Sequence, residues 1–110
     1  MTEDKFDDAW FGIAYAFSRL SPDPHRKVGA VLIKNGYMVS YGYNQELAWC
    51  PIRDWSDRAH VNERIQHAEV SALQVIDSRD CVLYVTKEPC ENCAKLIKTK
   101  GVKVKWREMR

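Results

Sequence analysis

The sequence predicts an α/β protein in which helices cover a mixed sheet of about four strands. Three features predict it: an initial segment with helical spacing, two apolar runs around Asn35-Gly36, and a strand, a helix and a strand at the end. The two apolar runs form an antiparallel hairpin. A strand, a helix and a strand in succession form a right-handed crossover, which makes the last two strands parallel.

The first helix is predicted from apolar residues spaced three and four positions apart, with Thr2 as its cap. The residues of this stripe are Phe6, Trp10, Ile13, Ala14, Phe17 and Leu20. Ser21-Pro22-Asp23-Pro24 ends the helix. The runs at 28–33 and 37–43 then form two strands, because Asn35-Gly36 between them suits a tight hairpin turn.

The rest of the chain alternates between loops, helices and strands. Residues 44–66 lack a clean period and are predicted to form a long loop, with helical turns after Asp57. A helix follows at 67–76 and a strand at 81–86. Pro89 opens a helix that Lys100-Gly101 ends, and 102–106 form the last strand. Since no repeat or linker interrupts this order, we expect a single domain over residues 1–110.

The composition fits a small folded protein with a weak net charge. Of the 110 residues, 45% are hydrophobic and 29% are charged, and the formal net charge is +2. No apolar run reaches the ~20 residues of a membrane-spanning helix, and the chain starts with acidic residues rather than a basic leader. We therefore expect a cytoplasmic protein without a membrane partner, in the host cytoplasm if the source is a virus or phage.

The two ends of the chain differ in charge. Acidic residues cluster at the start, and basic residues cluster at the end: Lys95, Lys98, Lys100, Lys103, Lys105, Arg107 and Arg110. The basic end predicts either a solvated surface or a patch that attracts phosphate. Attraction of phosphate does not by itself specify nucleic acid, and the weak net charge does not favour a nucleic-acid partner.

The residues that carry chemistry are His67-Ala68-Glu69 and Pro89-Cys90-Glu91-Asn92-Cys93. Cys90 and Cys93 lie three positions apart at a predicted helix start, where they can bind one metal ion. Backbone N–H groups and the helix dipole at that start favour the thiolate forms. His67, at the start of the other helix, can supply a third ligand and leave the fourth tetrahedral position of zinc open for water.

Glu69 decides between a catalytic and a structural metal. In a first helical turn, His67 and Glu69 can both reach one site, and a carboxylate beside a zinc-bound water can take up its proton. The alternative is a structural zinc closed by a fourth ligand, with Cys50, Cys81 or His60 as candidates. Cys50 and His60 could also hold a second zinc, while Cys81 is expected to be a buried core thiol.

His-x-Glu followed by Pro-Cys-x-x-Cys resembles the signature of the zinc-dependent cytidine/deoxycytidylate deaminase superfamily. The segment 23–31, Gly42-Tyr43-Asn44 and the segment 90–95 also resemble dCMP deaminases, here in a short form. The resemblance implies a three-layer α/β/α cytidine-deaminase-like fold and one zinc ion per chain. It also implies hydrolytic deamination of dCMP, or of a modified dCMP, to dUMP in pyrimidine nucleotide metabolism.

The resemblance assigns a role to each matching position. His67, Cys90 and Cys93 would bind zinc, and Glu69 would carry protons to N3 of cytosine and then to the leaving ammonia. Five positions would contact the substrate. Asn44 would hydrogen-bond the sugar or base, the Ala68 N–H would bind the pyrimidine carbonyl, and the Glu88 backbone carbonyl would face the amino group. Val28 would line the pocket, and Arg26 would bind the phosphate. A helix-capping or solvent role is the alternative for Arg26.

Two departures from the family pattern affect regulation and phosphate binding. Members regulated by triphosphates continue Gly-x-Pro-x-Gly after the Asn44 position, where this chain has Gln45-Glu46-Leu47-Ala48. We therefore expect no allosteric control by dCTP or dTTP, and a sigmoidal rate curve that dCTP makes hyperbolic would contradict this. The family also continues beyond its last strand, whereas this sequence ends at Arg110. Arg107 and Arg110 are thus candidate phosphate ligands, and an uncovered last strand favours a homo-oligomer.

Lys87-Glu88-Pro89-Cys90 resembles the form found in deaminases that act on other targets. The alternatives are therefore a deaminase of a free nucleoside or nucleobase or of tRNA adenosine, and a non-catalytic zinc-stapled binding module. A tRNA substrate predicts binding that weakens steeply with salt, because many phosphates would be engaged.

Overall fold

The computed structural model describes residues 3–47 and 49–108. Thr2 and Arg110, predicted as a helix cap and a candidate phosphate ligand, lie outside the described residues. The helices are α1 (Glu3–Ser18), α2 (Arg58–Arg64), α3 (Ala68–Ala72) and α4 (Glu91–Thr99). The strands are β1 (Gly29–Lys34), β2 (Tyr37–Tyr43), β3 (Gln45–Glu46), β4 (Ile65–Gln66), β5 (Val82–Val85) and β6 (Lys103–Trp106).

Four of the strands form one mixed sheet in the order β2-β1-β5-β6. β1 is antiparallel to both β2 and β5, whereas β5 and β6 are parallel. The hairpin turn between β1 and β2 has φ values of 53° at Asn35 and 82° at Gly36, as a tight primed turn requires. The predicted sheet, a hairpin plus a parallel pair, is confirmed.

Helices cover both faces of this sheet. Against α1, the buried cluster consists of Phe11, Ala14, Val31, Ile33 and Tyr84. Against α3 and α4, it includes Ala30, Leu32, Ala68, Ala72, Leu83, Val85 and Ile97. β1 is buried along nearly its whole length because side chains on both of its faces are covered. This arrangement confirms the three-layer α/β/α fold.

The buried stripe of α1 differs from the predicted one. Phe11 and Ala14 are buried, whereas Phe6 and Leu20 are exposed. Packing against the sheet determines which face of α1 is buried. The backbone of α1 lies so close to Gly29 of β1 that a Cβ on Gly29 would overlap the Ala14 carbonyl oxygen. A contact between backbones leaves no periodic signal in the sequence.

No helix among the described residues is long and apolar enough to cross a membrane.

The acidic start and the basic end of the chain pair with each other. The Lys105 ammonium lies 3.1 Å from the Asp7 carboxylate. The Arg107 guanidinium lies 2.7 Å from the Asp8 carboxylate and 4.4 Å from the Phe11 ring centroid. These cations therefore join α1 to the segment around β6. Arg107 is paired with α1 and lies outside the lining of the pocket described below, and its role as a candidate phosphate ligand stays a prediction.

The described part of the segment 44–66 contains more regular secondary structure than predicted. β3 and β4 pair near its two ends, and the predicted helical turns after Asp57 are α2. The Asp57 carboxylate accepts the His60 N–H at 3.2 Å as the helix cap. Two-residue strands carry no periodic pattern, so the sequence predicts only a loop there.

Two helices differ from their predicted bounds. The helix predicted at 67–76 ends at Ala72, and a tight turn follows at 73–75. Apolar residues continue beyond Ala72 at helical spacing, so the periodicity overruns the true end. α4 begins after its N-cap Cys90, so Pro89 precedes the helix instead of opening it.

Gly42 of β2 provides a test of how the sheet supports α3. A Cβ at this position would overlap the Ala68 carbonyl oxygen and lie 2.7 Å from the Ala72 nitrogen. We expect Gly42→Ala to lower the free energy of unfolding in urea by about 1–3 kcal/mol, because neither backbone can yield without moving α3.

Gly12→Ala is the matched control for this substitution. Gly12 is exposed in α1 and a Cβ there meets no atom within 4 Å. The substitution should raise the free energy of unfolding by about 0.5–1 kcal/mol, since alanine loses less entropy than glycine in a helix. Equal free energies for the two variants would contradict this account of the packing.

Candidate active site

The starts of α3 and α4 lie next to each other and carry the three predicted metal ligands. His67 is the N-cap of α3 and Cys90 is the N-cap of α4. Neither side chain makes a capping hydrogen bond, so both are available to another partner. Cys93 is the third residue of α4, and side chains at the N-cap and third helical positions face each other. This geometry explains the Cys-x-x-Cys spacing.

The three side chains form a compact donor set. Nδ1 of His67 lies 3.3 Å from Sγ of Cys93 and 3.7 Å from Sγ of Cys90. All three ligand atoms lie within 4.8 Å of one another. Two sulfurs and an imidazole nitrogen suit zinc, and three protein ligands leave the fourth tetrahedral position open. The residues present therefore fit a catalytic rather than a closed zinc site.

The other cysteines and histidines considered as ligands lie apart from this cluster. Cys81 is buried in the core, as predicted, and Cys50 is half-buried near β3. Nε2 of His60 accepts the Arg53 N–H at 3.0 Å. In residues 3–47 and 49–108, no other three of the His, Cys, Asp and Glu side chains come together in this way. The geometry therefore does not support a fourth protein ligand from Cys50, Cys81 or His60. The alternative of a second zinc at Cys50 and His60 stays untested.

Burial controls the protonation of the two groups at the centre of the site. It raises the pKa of the Glu69 carboxyl, which the residue's own N–H and His67 only partly oppose. Burial, together with the charge of Glu69, raises the pKa of Cys93 to about 12. The predicted thiolate of Cys93 is thus disfavoured by the protein alone, because burial outweighs the helix start. A coordinated cation supplies the charge that deprotonates a thiol.

One pocket contains Glu69 and the five residues to which the family resemblance assigns a substrate contact. Its lining includes Arg26, Val28, Asn44, Ala68 and Glu88, together with His67, Glu69 and Cys90. These residues come from the loop before β1, the residue after β2, the start of α3 and the segment between β5 and α4. The fold therefore brings the predicted residues to one place beside the metal-binding side chains.

Asn44 is buried and fixes one part of the pocket. Its Oδ1 accepts the Val28 N–H at 2.8 Å, and its Nδ2 donates to the Arg26 carbonyl at 2.7 Å. The side chain therefore holds the segment 26–28 in place. An amide has a second hydrogen and a second lone pair, which leaves capacity for a ligand. The predicted contact of Asn44 with a substrate stays a prediction.

The pocket also contains an ion pair that the sequence analysis missed. The Arg58 guanidinium donates to the Asp23 carboxylate at 2.9 and 3.3 Å and to the Trp55 carbonyl at 3.0 Å. Asp23 also accepts the N–H groups of His25 and Arg26 at 2.8 and 3.1 Å. Burial raises the pKa of Asp23, but these donors outweigh burial and hold the pKa below its usual range. The two residues lie 35 positions apart, and no local pattern in the sequence pairs them.

The chain matches one protein family along nearly its whole length. The family described as the cytidine and deoxycytidylate deaminase zinc-binding region matches residues 4–106. Deoxycytidylate deaminase of Mycobacterium phage D29 is 34% identical over 93% of this chain and 93% of its own length. Deoxycytidylate deaminase of Homo sapiens is 29% identical over 90% of this chain, which spans only 62% of the human protein.

A solved structure agrees with these matches. The dCMP deaminase of cyanophage S-TIM5, in complex with dCMP and dUMP, aligns with a TM-score of 0.81 and 27% sequence identity. The alignment covers 96% of this chain and 83% of the cyanophage chain. The likeness thus extends over the sheet, the helices and the site.

Zinc content tests the proposed ligand set. Cys90→Ser should lower the zinc bound per chain after dialysis, because a hydroxyl is a far weaker zinc ligand than a thiolate. Cys50→Ser is the matched control, since Cys50 lies outside the cluster and should keep zinc at the level of the unaltered protein. Equal zinc contents in the two variants would show that Cys90 is not a ligand.

Proposed function

Because this chain belongs to the cytidine and deoxycytidylate deaminase family, whose domain binds zinc, we propose that it hydrolyses dCMP, or a modified dCMP, to dUMP and ammonia. One observation carries the proposal: Glu69 and five substrate positions line a single pocket together with two of the metal-binding side chains. A relative named deoxycytidylate deaminase at 34% identity and a dCMP-bound structure at 27% support the choice of substrate.

The proposed chemistry divides between the metal and Glu69. Zinc held by His67, Cys90 and Cys93 would supply a Lewis acid that lowers the pKa of water to near 7. Glu69, two residues after His67 in the first turn of α3, receives a proton from the attacking water. It delivers that proton to N3 of cytosine as the water oxygen bonds to C4. It then moves the remaining proton of that oxygen to the amino group, so that the C4–N bond breaks, ammonia leaves and the C4 carbonyl of uracil forms. A carboxyl group whose pKa burial raises is suited to both transfers near neutral pH.

Backbone groups of the pocket orient the base. The N–H of Ala68 lies in the first turn of α3, where no intrahelical acceptor exists, so it is available to the pyrimidine carbonyl. The backbone carbonyl of Glu88 accepts a hydrogen bond from the cytosine amino group, and Val28 packs against the ring. The remaining hydrogen-bonding capacity of Asn44 serves the sugar.

Arg26 is the proposed ligand of the 5′-phosphate. Arg26, Arg58 and Lys87 supply the positive side chains of the pocket lining. Asp23 already holds the guanidinium of Arg58, whereas Arg26 forms no ion pair with any described residue. Lys87 forms no such ion pair either, but only the guanidinium of Arg26 can make two parallel hydrogen bonds to a phosphate, so we choose Arg26.

A homo-oligomer stays a prediction. β6 is an edge of the sheet in the described part of the chain, and its Trp106 is 46% exposed. An exposed edge strand favours pairing with a second copy. A sedimentation equilibrium experiment that gives the mass of a single chain would contradict the prediction of a homo-oligomer.

Ammonia release from dCMP and deoxycytidine tests the proposed function. We expect kcat/KM to be higher for dCMP, because only the nucleotide offers a phosphate to Arg26. Arg26→Ala should raise the KM for dCMP about tenfold, which corresponds to the loss of one hydrogen bond to a charged group. The KM for deoxycytidine should not change.

Arg79→Ala is the control for Arg26→Ala. Arg79 pairs with Asp77 and lies outside the pocket lining, so its removal should leave both substrates unaffected. Deoxycytidine turned over as well as dCMP would contradict a nucleotide substrate. An equal loss for both substrates in Arg26→Ala would show that Arg26 does not bind the phosphate.

A further inference from the structure

A second cleft opens beside the pocket, and four of the eleven described residues in its lining are Arg or Lys. It lies between the end of α1, the segment 24–28 and the residues that follow β5 and β6. Its cations are Arg19, Arg26, Lys27 and Lys87, and we call it the basic cleft. Glu108 is the one acidic residue in this lining. Arg26 and Lys87 also line the pocket, so the two spaces adjoin each other.

Most of the positive charge in the basic cleft is uncompensated. Arg19, Arg26 and Lys87 form no ion pair with any residue in 3–47 or 49–108. Lys27 donates from Nζ to the Ser21 carbonyl at 2.6 Å, which does not neutralise its charge. By contrast, two cations near the end of the chain are paired with acidic residues of α1. A concave surface with unpaired charge of one sign concentrates ligands of the opposite sign.

We propose that the basic cleft binds the second and third phosphates of a cytosine nucleoside triphosphate whose base and first phosphate occupy the pocket. The inference rests on the proposed function, in which Arg26 binds the first phosphate. Because Arg26 lines both spaces, a phosphate chain that extends past it enters the basic cleft, where Arg19 and Lys27 lie. The protein therefore binds dCTP in competition with dCMP, at the substrate site.

The lining favours a phosphate chain over a single-stranded nucleic acid. Proteins that bind single strands combine cations with aromatic surfaces on which successive bases stack. In the described lining of the basic cleft, the rings that could stack on a base are those of Tyr15, which is half-buried in α1, and His25. Four cations beside only two such rings match the chemistry of a polyphosphate better than that of a series of stacked bases.

Inhibition by dCTP tests the inference on the zinc-loaded full chain. We expect dCTP to raise the KM for dCMP without changing kcat, and equilibrium dialysis to detect dCTP binding directly. Arg19→Glu should weaken dCTP binding by about tenfold or more, because a charge-assisted contact is replaced by a repulsive one. The KM for dCMP should not change. Lys98→Glu, on the exposed side of α4 and outside both linings, is the control and should change neither value.

Other outcomes separate this inference from the proposed function. If dCMP is deaminated but dCTP does not bind, the inference is wrong and the proposed function stands. If dCMP is not deaminated, the proposed function is wrong. In that case, equilibrium dialysis supports phosphate binding in the basic cleft only if Arg19→Glu weakens the binding of dCTP. An equal loss of dCTP and dCMP binding in Arg19→Glu would overturn the inference. Competition by a 5′-phosphorylated oligodeoxycytidine without competition by dCTP would overturn it in favour of a polynucleotide.

Discussion

A buried carboxyl group and a buried thiol lie close together where α3 and α4 begin, and the site depends on how their charge is balanced. Glu69 and Cys93 are each at most 5% exposed, and burial raises the pKa of both. A protein gains nothing in stability from such a pair, because both groups lose their hydration. A cation bound by Cys93, Cys90 and His67 would compensate for that loss. In the proposed function, the same cation would activate water, and the carboxyl group could then exchange protons beside it.

The rest of the fold holds this pair of helix starts against a shaped pocket. Gly42 lets α3 approach the sheet closely, which fixes where its first turn lies. Asn44 and the fully buried Asp23 hold the segment that carries Arg26, through its backbone carbonyl and N–H groups. That segment separates the pocket from the basic cleft. The side chains of Asn44 and Asp23 therefore fix the backbone of this segment. The exposed side chain of Arg26 lines the space that a phosphate would enter.

Local patterns in the sequence predicted the parts of the fold and site that depend on neighbouring residues. The Asn35-Gly36 turn, the parallel pair and the metal-binding side chains belong to this group, because turn chemistry and helix starts are encoded within a few residues. The buried stripe of α1 and the pairing of Asp23 with Arg58 do not. Both depend on contacts between segments that are distant in the sequence. For α1, more than one face of the helix fits the same spacing of apolar residues, so the spacing does not determine which face is buried. Burial likewise raises the pKa of the Cys93 thiol, and the sequence does not reveal how far a helix start is covered.

The central claim is that Glu69 carries protons at a zinc site to which it is not a ligand. The most direct test measures zinc per chain and ammonia release from dCMP on the same preparation of Glu69→Gln, beside the unaltered protein. The account predicts an unchanged zinc content and unfolding midpoint, with a turnover lowered at least about a hundredfold, as for loss of a general acid–base group. Loss of zinc or of the fold in Glu69→Gln, or turnover at the unaltered rate, would contradict it.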